Sequence, residues 1–264
     1  MIPIKKSPLI IGHRGSSALA PENTLAAFAR AFDDGAAGIE LDVRLARDGV
    51  PVVIHDPSLS HTGRRKARVA RLTSEKLAQI DVGSSFNRRH PELARVQYLK
   101  QTVPSLDDVF RLMANSSSQN TVCYVEMKVV RRKESNLSLA AAVVDIVQRH
   151  HFHHRVIVIS FNLPAIAAVK DLDPSIRTGA LFGPRQRATK SVRKMVSMAL
   201  EHRANEILLH HLIANRRILN LALAANLKPV VWTVEDLSWV ARARENQIHA
   251  LMTNNPARML ANLR

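Results

Sequence analysis

Apolar residues recur along this chain in two alternating rhythms. Short unbroken apolar runs give way to stretches in which apolar side chains return every three or four positions. The first rhythm predicts strands and the second amphipathic helices. Strands are expected at Leu9 to Ile11, Gly38 to Val43, Val122 to Val129, Val156 to Ser160, Ile176 to Leu181, Glu206 to Leu209, Pro229 to Val234 and Ala250 to Met252. Val50 to His55 is a further extended run. Helical spacing covers Thr24 to Phe32, Leu106 to Met113, Leu137 to Gln148, Leu163 to Lys170, Ser191 to His202, Arg216 to Ala225 and Leu237 to Arg244, and a short helix follows Pro256. In the first helix Leu25, Phe28 and Phe32 share one face, with Asn23 as the expected N-cap and Gly35 as the expected stop.

Apolar strands alternating with amphipathic helices predict a parallel sheet covered by helices. About eight such units in 264 residues favour an α/β chain folded as a (β/α)8 TIM barrel, a fold that takes roughly 250 residues. An open nucleotide-binding sheet is disfavoured, because no glycine-rich phosphate loop follows any strand. Residues 57–101 break the alternation and are too long for an ordinary connection. They read as a small insertion near the barrel mouth, between the second and third barrel strands, within a single domain spanning 1–264.

At 46% apolar, the chain has enough material for a sizeable core. No apolar run approaches the ~18 residues expected of a membrane span. Met1 to Ser7 lacks the apolar core and cleavage site of a signal peptide, so a cytoplasmic location is expected. The lone Cys123 falls within an apolar strand, where it reads as a small core residue.

The candidate chemistry lies at strand ends, where barrels of this kind carry their working residues. Glu40 and Asp42 are two apart in one strand, so both carboxylates project the same way. Side by side they repel unless protonated or neutralised, and such oxygen ligands suit a hard divalent cation, Mg²⁺ or Ca²⁺. Glu126 and Lys128 are again two apart. His13 and His55 each end an apolar run and offer a proton-transfer pair working near neutral pH. Arg14 and Lys128 suit phosphate oxygens, the first as a planar fork and the second as a point charge. Together these groups read as a phosphodiester-cleaving site. Gly15 is expected to let the backbone approach substrate closely, and Glu22 or Asn23 to support the cluster from behind. Trp232, late in its strand, is a candidate wall for an alcohol pocket; Trp239 reads as packing. His210 ends a strand at the mouth, whereas His150, His151, His153 and His154 fall in a loop on the opposite face, where a metal site is not expected.

Five motifs carry a family resemblance. His13-Arg14-Gly15, Pro21-Glu22-Asn23-Thr24, Glu40-Leu41-Asp42, His55-Asp56 and Glu126-Met127-Lys128 occur in the order seen in glycerophosphodiester phosphodiesterases. Supporting stretches are Val69-Ala70-Arg71-Leu72-Thr73, Pro104-Ser105-Leu106-Asp107-Asp108, Val231-Trp232-Thr233-Val234 and Thr253-Asn254-Asn255-Pro256. The chain resembles that family from Leu9 to about Leu260. The resemblance implies the barrel, the insertion, and Glu40, Asp42 and Glu126 as metal ligands. It further implies metal-dependent hydrolysis of small glycerophosphodiesters to glycerol 3-phosphate and an alcohol, with water or the neighbouring glycerol hydroxyl as nucleophile. The alternatives are lysophospholipase D-type action on lysophospholipids and a non-catalytic anion-binding barrel.

Charge adds one more expectation. Lys and Arg total 38 against 22 Asp and Glu, a formal net charge of +16. No helix-turn-helix, zinc-finger or aromatic RNA-binding signature accompanies it, so nucleic acid is not the expected partner. Basic groups crowd Arg64-Arg65-Lys66 with Arg68 and Arg71, Arg131-Arg132-Lys133, and Arg185, Arg187, Lys190, Arg193 and Lys194. Each segment follows a strand, so an electropositive mouth is expected, suited to anionic diesters or to peripheral contact with anionic lipid.

Overall fold

Eight parallel strands close on themselves in a computed structural model that describes residues 7–60, 67–116, 120–129 and 133–263. The first half contains β1 (Leu9–His13), α1 (Leu25–Asp33), β2 (Gly38–Leu45), β3 (Pro51–Val53), α2 (Ser74–Leu77), α3 (Ser84–Arg89), α4 (Leu106–Asn115), β4 (Val122–Met127) and α5 (Lys133–Arg149). The second half continues with β5 (Val156–Ser160), α6 (Leu163–Leu172), β6 (Arg177–Phe182), α7 (Pro184–Thr189), α8 (Val192–Glu201), β7 (Glu206–His210), α9 (Arg216–Ala224), β8 (Lys228–Trp232), α10 (Ser238–Glu245), β9 (Ala250–Thr253) and α11 (Pro256–Leu260). Around the ring the order is β1, β9, β8, β7, β6, β5, β4, β2, and β2 pairs back onto β1. The expected TIM barrel is the fold. β3 is not a stave; it lies antiparallel on the upper part of β2, with Val43 opposite Val53.

Local chemistry sets the boundaries. Ser105 and Asp108 form a reciprocal capping box at the start of α4. Thr24, rather than the expected Asn23, caps α1: its side chain accepts from the Ala27 N–H. That leaves Asn23, in a left-handed conformation at φ 55°, free to reach elsewhere. The short helix α7 was not expected. It starts at Pro184 and is held by the Gln186 side chain, which accepts from the Gly183 N–H at 3.1 Å.

Alternate strand residues fill the barrel. Ile11, Tyr124, Ile157, Ile159, Leu181, Leu208, Val230 and Met252 pack as its interior, while the other strand faces pack against the helices. Cys123 is buried among the outward-facing set. Residues 57–101 carry α2, α3 and several tight turns. Phe86 and Tyr98 pack on Ala20 and Ala27, and the Tyr98 hydroxyl donates to the Leu19 carbonyl at 2.9 Å, so the segment is fastened to the β1–α1 connection. Trp239 is buried with the Arg242 guanidinium over its ring, which is packing as expected. No helix among the described residues is long and apolar enough to cross a membrane.

The barrel floor is polar. The Tyr124 hydroxyl donates to the fully buried Glu206 carboxylate at 2.9 Å, and the Arg177 guanidinium stands 3.8 Å from that carboxylate. His249 lies beside this group. Burial first, then Lys228 and Arg177, push its imidazole down to about 4. Between the unfolded value of 6.5 and that folded value the unfolded chain binds the extra proton, so stability falls as pH drops through this window and levels off below it. His249→Gln should flatten the slope of stability against pH in that window by close to one proton's worth. Urea unfolding at several pH values measures it; an unchanged slope would mean that folding leaves the imidazole free to protonate.

Candidate active site

Three neighbouring strands, β1, β2 and β4, bring the candidate groups to one mouth. Parallel register sets their heights: His13 stands opposite Glu40, and Asp42 opposite Glu126. Glu40, Asp42 and Glu126 each offer an oxygen within 4.8 Å of the others, and all three are buried. Carboxylates this close cannot all ionise unaided. Burial and then Asp42 raise the Glu40 carboxyl, and burial does the same for Glu126. Asp42 goes the other way. Burial alone would raise it, but Lys128 and Arg14 outweigh burial and hold it ionised.

The cations are engaged with this cluster. Lys128 Nζ lies 3.0 Å from Asp42 Oδ1 and donates to Glu126 Oε1 at 2.5 Å. Arg14 contacts Asp42 Oδ2 through Nε at 3.2 Å, donates to the Glu22 carboxylate at 3.1 Å, and gives its backbone N–H to Glu40 Oε2 at 2.9 Å. Asn23 donates to Asp42 Oδ2 at 2.8 Å. Glu22 and Asn23 thus both touch the charged cluster, directly or through Arg14. Gly15 serves a different neighbour from the one expected. At φ +81° its missing Cβ leaves room for the Ala27 backbone of α1, which a Cβ would meet at 2.6 Å.

The two histidines are oriented alike. His13 Nδ1 lies 2.7 Å from Asn254 Oδ1, an oxygen that also accepts from the Ser17 hydroxyl, so Nδ1 carries the proton and Nε2 faces Glu40 at 3.8 Å. His55 Nδ1 donates to Asp56 Oδ1 at 2.8 Å. Each imidazole therefore keeps its Nε2 lone pair for other chemistry. Burial lowers both imidazoles below their ordinary value, with Arg14 adding to the effect at each. His55 follows β3 rather than a barrel strand. Its backbone carbonyl is held by Arg44 Nε at 2.8 Å, and the same guanidinium reaches the Lys128 carbonyl at 3.4 Å.

His13, Arg14, Glu40, His55, Glu126 and Lys128 line one side of a cavity of about 200 Å³. Its other side is apolar: Ile159, Phe161, Leu181, Met252 and Trp232. Asp42 is fully buried and does not line the cavity. Trp232 stands edge-on to Phe161 and His210, with its indole Nε1 buried and without a hydrogen-bond partner. His210 packs on Trp232 and is not part of the cavity lining. A larger cavity of about 380 Å³, between the β2–β3 hairpin and α5, reaches the site only at Lys128. His150 and His153 pair with Asp107 and Asp173 and hold helix ends together. Arg64-Arg65-Lys66 and Arg131-Arg132 lie outside the described residues.

Asp56 and Asn254 fall within motifs noted in the sequence but were given no role there, and Arg44 and Phe161 were not singled out. Asp56 adjoins His55, Asn254 follows the last strand at its mouth end, and Arg44 continues the two-residue spacing of Glu40 and Asp42; these signals could have found them. Nothing marked Phe161, which depends on the barrel's curvature.

The donor set fits a divalent cation. Three convergent carboxylates suit a hard ion, and Asp42 Oδ1 is buried with no aligned hydrogen-bond donor, only the Lys128 charge beside it.

A family model described as the glycerophosphoryl diester phosphodiesterase family matches residues 13–258. A glycerophosphodiester phosphodiesterase of Caldanaerobacter subterraneus subsp. tengcongensis is 33% identical over 178 residues, 66% of each chain. One from Bacillus subtilis is 30% identical over 196 residues, 73% of this chain and 64% of that one. The chain thus spans about two thirds of the length of these relatives. An Oleispira antarctica phosphodiesterase, solved in complex with the product sn-glycerol-3-phosphate, superposes with a TM-score of 0.84 at 25% identity, covering 97% of each chain.

The ion pairs predict a stability cost on their removal. Lys128→Met leaves buried carboxylates uncompensated and should destabilise the fold by about 3–5 kcal/mol, as breaking a buried pair usually does. Adding Glu126→Gln should recover part of the loss. Urea unfolding measures both, and an unchanged midpoint in Lys128→Met would mean that the lysine does not neutralise the cluster.

Proposed function

The chain belongs to the glycerophosphoryl diester phosphodiesterase family, and from that premise we propose that it hydrolyses small glycerophosphodiesters to sn-glycerol 3-phosphate and an alcohol. The observation that carries the reading is the cavity itself. One wall gathers three carboxylates, two cations and two histidines with available Nε2 atoms, and the facing wall is apolar. The product held by the Oleispira antarctica relative supports the same product here. The proposal takes the chain as one barrel domain with residues 57–101 inserted at its mouth, and includes peripheral contact with anionic lipid.

Glu40, Asp42 and Glu126 would hold a divalent cation, Mg²⁺ or Ca²⁺. Once bound, such an ion supplies a Lewis acid for phosphoryl oxygens. Arg14 and Lys128 share the charge that develops in the transition state. His13 and His55 move the protons. Their partners differ, and the proposed division of roles rests on that difference. Asp56 favours a protonated His55, which therefore protonates the leaving alkoxide. Burial and the nearby Arg14 charge favour a neutral His13 against the opposing pull of Asn254, and His13 takes the proton from the attacking water or hydroxyl. Trp232 and Phe161 exclude water from the organic part of the substrate.

Chelation should abolish release of glycerol 3-phosphate, and Asp42→Asn should lower turnover by roughly 10²-fold or more. Mg²⁺ or Ca²⁺ should raise the melting temperature of the wild type but not of Asp42→Asn, a readout independent of activity. Full activity in excess chelator would sink the metal assignment.

His13→Ala and His55→Ala should each cost about 10²–10⁴-fold in the chemical step, the usual size of a general acid–base contribution. A nitrophenyl ester, whose leaving group needs no proton, should rescue His55→Ala and not His13→Ala. Rescue of the opposite variant would reverse the two roles.

A further inference from the structure

Three neighbouring staves, β5, β6 and β7, open onto connections that carry no carboxylate. Segments 161–165, 183–194 and 210–217 contain no Asp or Glu. They contain seven cations, of which Arg185, Arg187, Arg193, Arg216 and Arg217 are exposed and in no ion pair among the described residues. Lys194 is drawn off by Glu201 at 3.4 Å, and Lys190 is half-buried. The carboxylates of the same stretch of chain lie at the opposite ends of its helices: Asp171 and Asp173 close α6, and Glu201 closes α8. Carboxylates are therefore confined to the far end of this sector, where Lys170, Arg177 and Arg203 accompany them. The arc ends where the β8 connection presents the exposed Glu235 and Asp236.

The same arc exposes apolar side chains. Leu212, after β7, is 72% exposed, and Phe161, after β5, is 38% exposed at the cavity rim. Exposed large apolar groups among unpaired cations are costly in water and have no use in holding a soluble anion. They match a surface that is anionic outside and apolar a few ångströms in. We propose that this arc is a docking surface for an anionic lipid bilayer, with Leu212 and Phe161 entering the headgroup layer and the arginines meeting lipid phosphates and carboxylates. Charge complementarity and the apolar pair supply the two signals that stable peripheral binding requires. A nucleic acid would use the arginines and the Phe161 ring but not Leu212, which offers no face for stacking. Docked this way, the cavity rim at Phe161 sits against the bilayer. The surface does not depend on the diester chemistry, and its test is separate from that reading.

The test is co-sedimentation with phosphatidylcholine vesicles, with and without about a third phosphatidylserine, at near-physiological salt. The wild type should bind the anionic vesicles and not the neutral ones. Arg185→Glu with Arg187→Glu should weaken binding at least tenfold, given about fivefold for each basic residue removed. Leu212→Asp should weaken it comparably, while both variants keep wild-type melting temperature and turnover of soluble glycerophosphocholine. Arg203→Glu, a change of two charges at the far end of the barrel against four in the double variant, should bind as the wild type does. Three results would overturn the proposal: no preference for anionic vesicles, an equal loss in Arg203→Glu, or full vesicle binding by Leu212→Asp. The last, combined with tight binding of a single-stranded oligonucleotide, would make the arc a polyanion site.

Discussion

Asp42 is the point on which the site turns. It is fully buried, yet burial alone does not decide its ionisation, because two cations and an amide converge on it. Arg14 arrives from the end of β1 and Lys128 from the end of β4, the two staves that flank β2. The pairing of β1 with β2 closes the ring, and the same closure brings Arg14 to Asp42. An open sheet of these strands would leave β2 without the neighbour that carries Arg14. Fold closure and charge balance are one constraint.

The register adds a vertical constraint. Glu40 and Asp42 occupy successive inward positions, with Glu126 beside Asp42 and His13 beside Glu40. Below them the interior is apolar, so the charged layer cannot relax downwards. The carboxylates are held close because the strands beneath are stiff. His55 stands apart from this rigidity, since it leaves the β3 hairpin rather than a stave. Asp56 fixes its ring and Arg44 its backbone, and Arg44 also ties that segment to Lys128. One proton carrier is thus set by the barrel and the other by a strap across its rim.

Much of this was legible in the sequence because period and spacing are local. The strand runs and two-residue spacings located the barrel, Glu40 with Asp42, and Glu126 with Lys128. Other features required the closed ring. Asn254 meets His13 only because β9 returns to β1, 241 residues along the chain. The cap of α1 was misread for a related reason. Asn23 and Thr24 are both good caps, and the choice between them depends on Asp42, a residue from another strand that takes the Asn23 amide. The helix α7 is too short to show a period, so its rhythm was invisible. Gly15 was read as a place of close approach to substrate; the group that approaches it is α1, which sequence spacing cannot reveal.

The charge of the cluster and the charge of the whole molecule act at different ranges, and the proposed chemistry uses both. Three carboxylates and two cations leave the cluster with one net negative charge when all are ionised and the histidines neutral. In that fully ionised state the cluster would repel a phosphodiester monoanion, and without a cation the raised carboxyls of Glu40 and Glu126 take up protons instead. A divalent cation among Glu40, Asp42 and Glu126 would reverse the sign to one positive charge, and the diester would then bring the whole to neutrality. The excess of 16 positive charges acts at longer range, drawing anions towards the molecule before they meet the cluster. A cation held by Glu40, Asp42 and Glu126 would displace the protons that Glu40 and Glu126 otherwise keep, so the proposed chemistry would couple ionisation of the whole cluster to occupancy of that site.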